Sequence, residues 1–519
     1  MRRILLPLLL LVVAAASAQQ PSRDALRQEA GERAAAQAKL VQTITDSIFS
    51  FSELGYQEIE TARYVRGILR DNGFRITEGL AGMPTAFVAE WGQGSPVIGL
   101  MADIDGLPET SQKPGVAYHD PLIPGGPGHG EGHNAGQAVN VTAALAVKAV
   151  LERHNLPGTI RVYPGVAEEL LGSRTYMTRD GLFKDLDIML SCHVGSDFST
   201  NWGQRGLALV STQFSFHGTS AHGAGSPWRG RSALDAVELM NIGWNFRREH
   251  LRLEQRSHYV IPHGGDQPNV VPPEATVWYF FRETDYKNVK ELHALGQKMA
   301  TAAAMMTDTT MTERVIGAAW DGHFNKPLAE LLHENIERVG MPEWSDADQT
   351  LAKAVQRELE QEERGLSTKV DELDGPAESS SGSDDIAEVS WTVPTVNLRY
   401  PSNIPGATGH HWSSGIAMAT PIAHKGALAG AAAQAMTALE LFADPSLVQQ
   451  AKDYFAEQTK DVQWQSLIPA DTAPPIHFNK DKMERYRPEL EKLRYDPARF
   501  DTYLEQLGIQ YPTIREHAR

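Results

Sequence analysis

With 519 residues, the chain has room for roughly two to four domains and a sizeable core. Its 41% hydrophobic and 22% charged content is that of an ordinary globular protein, which argues against wholesale disorder and against a polytopic membrane protein. A formal net charge of -17, with no basic run longer than pairs such as Arg247-Arg248, repels phosphate backbones and anionic lipid, so no nucleic-acid partner is expected.

The chain opens on Met1-Arg2-Arg3, an apolar stretch over 4–16 and Ala16-Ser17-Ala18. This is the layout of a secretory signal peptide over 1–18, and the stretch is too short to remain as a bilayer anchor. A periplasmic or secreted mature protein is expected, free of the membrane after cleavage, and no later segment reads as long and apolar enough to span a bilayer. Helical spacing predicts helices over 23–48 and 59–72, the second stopped by Gly73. Strand-like runs at 86–90, 97–102, 159–163 and 188–193 alternate with helical stretches such as 138–153. The alternation predicts an α/β fold, a mainly parallel sheet flanked by helices on both faces. In such folds the ligand site lies at the carboxyl ends of the strands. Cys192, the single cysteine, has Leu190 and Val194 on its strand face; it reads as a buried small hydrophobe and leaves no intramolecular disulfide to form.

Over 207–316 the pattern changes to strand 208–216, helix 233–251, strands 259–262 and 275–281, and helix 286–305. That order predicts a smaller α+β domain inserted into the larger one, so the catalytic domain divides into 19–206 and 317–444. A charged segment over 352–375 reads as a surface helix and the Ser/Gly tract 379–383 as a loop. The remainder, 445–519, with Pro469, Pro474 and Pro475, reads as a wrapping extension.

Three short motifs carry chemistry. Glu131 and His133 stand two apart in Gly128-His129-Gly130-Glu131-Gly132-His133-Asn134, a loop flexible enough to aim both side chains at one ion. Glu168 and Glu169 follow an apolar strand, and His193 closes another. Singly these read equally as a solvated turn, a solvated helix start and a core histidine. Together, each after a strand of one sheet, they supply the imidazoles and carboxylates that a pair of divalent ions requires, such ions sitting ~3.5–4 Å apart around a shared water.

Asp103-Ile104-Asp105-Gly106-Leu107-Pro108, the 128–134 loop, Ala167-Glu168-Glu169 and Gly218-Thr219-Ser220-Ala221-His222 resemble, in this order, the motifs of the aminoacylase and carboxypeptidase superfamily of co-catalytic metallohydrolases. The resemblance is strongest to the amidohydrolase branch that includes the aminobenzoyl-glutamate and auxin-conjugate hydrolases, and it covers nearly all of the chain from Phe51 onward. It implies two divalent ions, zinc or manganese, held by Glu131, His133, Glu169, His193 and His410. Glu168 takes the place of the general base and Asp105 that of an acid orienting a ligand. His410 is preferred to His411 because the family's ligand stands two residues before an aromatic, here Trp412.

This branch usually carries a bridging cysteine where Glu131 stands. Oxygen is the harder donor, so the change moves preference from zinc towards manganese without excluding either, and leaves one metal or two open. In the insert, His222, Asn269 and Arg282 resemble the residues that receive the substrate's carboxylate and the developing oxyanion. The family's inserts also form a dimer contact, which implies a homodimer. The implied activity is hydrolysis of the amide bond of N-acyl amino acids or short peptides with a free carboxylate. The alternative is a non-catalytic binding protein on the same fold; Glu168 argues against it, because a pure binder needs no base.

Overall fold

The computed structural model describes residues 21–373, 375–376 and 382–515; the signal segment expected over 1–18, and residues 379–381 of the Ser/Gly tract, lie outside them. In chain order the strands are β1 (Arg75–Glu78), β2 (Phe87–Gln93), β3 (Val97–Asp103), β4 (Gly158–Gly165), β5 (Ile188–Gly195), β6 (Ser199–Thr200) and β7 (Gly203–Arg205). They continue with β8 (Ala208–His217), β9 (Arg256–His263), β10 (Glu274–Glu283), β11 (Thr310–Ala319), β12 (Gly322–Phe324) and β13 (Thr395–Pro401).

The larger sheet has the order β1-β2-β4-β3-β5-β13-β6. Its inner strands β4, β3, β5 and β13 run parallel, and the outer pairings β1/β2, β2/β4 and β13/β6 are antiparallel. The inner strands read as near-continuous apolar runs because both faces are covered. Ile98, Leu100, Ile160, Val162, Ile188, Val396 and Leu398 are all buried, as is Cys192. Helices His133–His154 and Pro421–Ala443 pack on each other and on these strands. The second of these corrects the expectation that no later segment is apolar enough to span a bilayer. It passes that test by length and composition, yet 89% of its apolar window is buried, because its alanines and glycines let it lie tightly on the sheet. A Cβ on Gly426 would fall 2.1 Å from the Pro401 carbonyl oxygen.

The smaller sheet is antiparallel, β11-β8-β10-β9, and carries helices Ala233–Arg247 and Tyr286–Met306. Along β10, Ala275, Val277, Tyr279 and Phe281 are buried in the small domain's own core with Phe214, Phe216 and Trp244. The period of two turns Phe280 and Arg282 to the opposite face.

Two predicted helices differ. The stretch 23–48 is two helices, Arg23–Ala35 and Ala38–Phe51, since the first packs chiefly on Pro421–Ala443 and the second chiefly on His133–His154. The helix expected over 352–375 is instead Asp346–Glu358, opened by a Ser345/Asp348 capping box. Beyond it Glu358 and Glu362 would set like charges one turn apart and Gly365 takes a positive φ of 75°, both unfavourable to continuation.

In the extension, helices Pro445–Thr459 and Lys480–Leu493 flank a strap over 460–479, and a short helix Tyr503–Leu507 follows. Trp464 Nε1 donates to Glu388 Oε2 at 2.6 Å, and Trp320 Nε1 donates to the Gln465 carbonyl at 2.9 Å. Arg179 donates to the carbonyls of Pro469 and Thr472, at 3.2 and 2.7 Å. From the smaller sheet Arg314 donates to the Ala473 carbonyl at 3.0 Å, and Trp278 packs on Phe478. Gln57 donates to the carbonyls of Ile476 and Phe478. The strap is thus bonded to both domains.

Candidate metal centre and cleft

All four inner strands deliver acids or histidines at one end of the sheet. The loop between β3 and helix His133–His154 is fixed by reciprocal backbone bonds between Leu107 and Gly128, at 2.8 and 3.0 Å. Gly128 is required there, because a Cβ would fall 2.5 Å from the Thr110 carbonyl oxygen. Gly132, at φ +74°, caps the helix, so His133 stands at its first position. His133 Nδ1 lies 2.9 Å from the Asp105 carbonyl oxygen and 3.3 Å from its Oδ1. With Nδ1 engaged there, Nε2 is the ring atom left to face an ion, and this buried atom has no hydrogen-bond partner.

Glu168–Leu170 form one tight turn bounded by left-handed Ala167 and Leu171. Glu58, which the sequence reading missed, holds the turn: its Oε1 accepts the Ala167 N–H at 2.7 Å and the Tyr56 N–H at 3.0 Å. Burial, with Asp105 nearby, pushes the Glu58 carboxyl up to about 8. Asp105 Oδ2 accepts the Glu169 N–H at 3.1 Å.

The predicted ligands converge. Ligand atoms of Glu131, Glu169 and His410 lie within 4.8 Å of one another, as do those of His133, Glu168 and Glu169, and those of Asp103, His133 and His193. His410 Nε2 is 3.1 Å from Glu131 Oε1 and 3.3 Å from Glu169 Oε2, and His193 Nε2 is 3.6 Å from Glu131 Oε2. Burial and the nearby Arg399 guanidinium bring His193 down to about 4, so its ring is neutral. Among the described residues His411 joins no such group; its Nδ1 meets Ser413 Oγ at 2.9 Å, capping a short helix.

Behind these donors lies a buried ionic knot with no local signature in the sequence. Arg174, 1% exposed, pairs with Asp103 and Asp385, and with Asp384 at 3.2 Å. Asp385 also accepts the backbone N–H groups of Ser173 and Arg174. Burial, reinforced by Asp384, Asp103 and Glu169, pushes the Glu168 carboxyl well above the usual range.

A divalent pair fits these residues. His133 Nε2 and Glu169 Oε1 are buried without a partner. Asp103 and Asp385 pair with Arg174, while among the described residues Asp105, Glu168 and Glu169 have only histidines in ion-pair range, a deficit that metal ions balance.

The centre opens into a cleft of about 820 Å³, whose lining includes Glu131, Glu168, Glu169, His193, His410 and, across from them, Arg282 of β10. His222 and Asn269 do not line it. They neighbour each other on the exposed end of the small domain, where the Gly223 N–H donates to the Asn269 carbonyl. His222 Nδ1 accepts the N–H groups of Ala224 and Gly225, at 3.1 and 3.0 Å, so the neutral ring presents Nε2–H as a donor.

Residues 203–305 match the peptidase dimerisation domain of the M20 peptidases. The chain is 33% identical to a subunit of the p-aminobenzoyl-glutamate hydrolase of Escherichia coli, over 83% of its own length and 95% of that protein's. The chain belongs to the M20 family. It is a hydrolase of amide bonds. A mouse Xaa-Arg dipeptidase is 27% identical over 83% of the chain and 92% of that protein. The fold of this M20 hydrolase matches that of a dinuclear metal-binding M20 peptidase from Bacillus subtilis at a TM-score of 0.51, with 16% identity, 78% of this chain and 99% of that one covered.

Proposed function

We propose that this M20 hydrolase cleaves N-acyl amino acids, aminobenzoyl-glutamate among them, or short peptides with a free carboxylate. The observation that carries the reading is the convergence of Glu131, Glu169, His193 and His410 on a cleft that Arg282 also lines, with His133 buried beside Glu169 and His193. These five side chains would hold two divalent ions, zinc or manganese. Bound there, the ions would supply Lewis-acid polarisation and acidification of water.

The chain's own groups do the rest. Arg282 takes the substrate's carboxylate through its planar fork. Glu168 accepts a proton from the attacking water at a carboxylate oxygen and returns it to the leaving nitrogen. Asp105 holds the His133 tautomer and the Glu169 backbone. His222 Nε2–H is a donor suited to an oxyanion. Because His222 and Asn269 lie away from the cleft, we assign them to the cleft of a partner in a homodimer. The dimerisation-domain match and the exposed Trp228, Ile242, Phe246 and Val260 of the insert support this. The leader-like layout over 1–18 supports export.

The test is hydrolysis of a panel of N-acyl amino acids and dipeptides by protein reconstituted separately with zinc and manganese, with bound metal measured by elemental analysis. Turnover with about two ions per chain is expected; metal-loaded protein inactive on the whole panel would defeat the reading.

A further inference from the structure

The turn that carries Glu168 and Glu169 is bounded by Ala167 at φ 48° and Leu171 at φ 50°. Residues with a side chain rarely take this left-handed conformation, and they keep it only where the surrounding structure imposes it. Within the turn the Leu171 N–H donates to the Glu168 carbonyl at 2.6 Å, and the Gly172 N–H to the Ala167 carbonyl at 3.1 Å. Those bonds close the turn without fixing where its two carboxylates stand.

Two distant parts of the chain fix it. Ahead of the sheet, Tyr56 and Glu58 grip both ends of the turn: Glu58 Oε1 accepts the Ala167 N–H at 2.7 Å, and the Tyr56 hydroxyl donates to the Gly172 carbonyl at 2.8 Å. The grip is itself braced, because Oε1 also accepts the Tyr56 N–H at 3.0 Å and Oε2 accepts the Thr85 hydroxyl at 3.0 Å. Both side chains are buried. From the smaller sheet, β11 shifts its register on β8 between Val315 and Gly317, and there Gly317 lies against the turn. A Cβ on it would fall 2.5 Å from the Leu170 carbonyl oxygen and 2.7 Å from that of Leu171. The strand has no slack to give way: the Tyr176 hydroxyl donates to the Ile316 carbonyl at 3.1 Å, and the Thr175 hydroxyl to the Ala318 carbonyl.

We propose that Tyr56, Glu58 and Gly317 are positioning residues for Glu168 and Glu169, so that the inserted domain, through β11, and the segment before β1 jointly set where these two carboxylates stand. Resting on the function proposed above, the inference makes the base and one ligand depend on three residues that do not line the cleft. Loss of the Glu58 acceptor frees one end of the turn. A methyl group at Gly317 displaces its other end through the carbonyls of Leu170 and Leu171.

The experiment compares Glu58→Ala, Glu58→Gln, Tyr56→Phe and Gly317→Ala with the full wild-type chain. Zinc and manganese affinities are read by chelator competition, kcat and KM at saturating metal on the best substrate of the panel, and the fold by urea unfolding. Glu58→Ala and Gly317→Ala should each lower metal affinity and kcat by roughly 10–100-fold, the usual cost of losing a group that orients a ligand. KM should stay within about twofold, since Arg282 lies on another strand. Glu58→Gln, whose amide oxygen still accepts both N–H groups, should return both quantities to within about threefold of wild type, and Tyr56→Phe should lower kcat by about two- to tenfold, the scale of one neutral hydrogen bond. Lower urea midpoints with wild-type affinity and kcat would mean a merely structural role and overturn the proposal. So would a Glu58→Gln variant as impaired as Glu58→Ala, since the accepted bonds would then not be what matters. If Glu58→Ala does not fold, wild-type affinity and kcat in both Gly317→Ala and Tyr56→Phe overturn it. Wild-type protein that turns over no substrate defeats the proposed hydrolysis, while the metal affinities of the variants still decide the positioning.

Discussion

The Asp105 carboxylate accepts the backbone N–H of Glu169 at 3.1 Å, and the carbonyl of the same residue receives His133 Nδ1. One residue thereby sets two proposed ligands from different strands. Asp105→Ala should lower metal affinity by roughly 10–100-fold, the usual cost of losing a group that orients ligands. Titration with zinc and manganese against a competing chelator measures it, and unchanged affinity would show that His133 and Glu169 hold their positions alone.

Glu168→Gln should leave metal content near wild type and reduce turnover by about 10²–10⁴, the contribution of a positioned general base. Elemental analysis and steady-state kinetics on the same preparation separate the two quantities. Wild-type turnover would remove Glu168 from the mechanism.

Arg174 is the cation of the buried knot with Asp103, Asp384 and Asp385. Arg174→Met should destabilise the protein by about 3–5 kcal/mol, because it leaves buried carboxylates without a counter-charge. The double variant Arg174→Met with Asp385→Asn should recover part of the loss, since the uncompensated charge is then smaller. Urea unfolding reads both, and strictly additive losses would mean the two residues act independently.

Glu388 is buried, which pushes its carboxyl up to about 8, while its Oε2 accepts the Trp464 indole N–H. Between its ordinary value of 4.5 and about 8 the folded state keeps a proton that the unfolded chain has released, so stability falls as pH rises, by at most about 1.4 kcal/mol per unit from this group. Glu388→Gln keeps an acceptor for Trp464 and removes the titration. Relative to wild type, the variant should therefore gain stability as pH climbs through this window, read by urea unfolding at several pH values. Parallel stability curves would contradict it.

Much of the parallel sheet was legible because its strands are apolar runs with glycine or acid at their ends; the expected 97–102 and 188–193 are β3 and β5 within one or two residues. β13 was not, since Thr395–Pro401 includes Asn397, Arg399 and Pro401, and it is buried by its neighbours β5 and β6 and by the helices Lys326–Val339 and Pro421–Ala443, which come from elsewhere in the chain. The proposed ligands were readable from motif order. The Arg174–Asp385 pair was not, because its members stand 211 positions apart and neither has a local reason to be buried. His410 and His411 could be separated only by the backbone: φ of 55° at His410 turns it to Glu131, while His411 caps the helix after it.

The strap over 460–479 receives six of its anchoring bonds on main-chain carbonyls, those of Gln465, Pro469, Thr472, Ala473, Ile476 and Phe478. Every residue type offers that acceptor. Substitutions in the strap therefore leave these attachments chemically available, and evolutionary drift there should be wide. Selection for the attachment falls instead on the distant donors, Gln57, Arg179, Arg314 and Trp320, so relatives that retain a strap are expected to be recognisable by those four positions rather than by the strap's own letters.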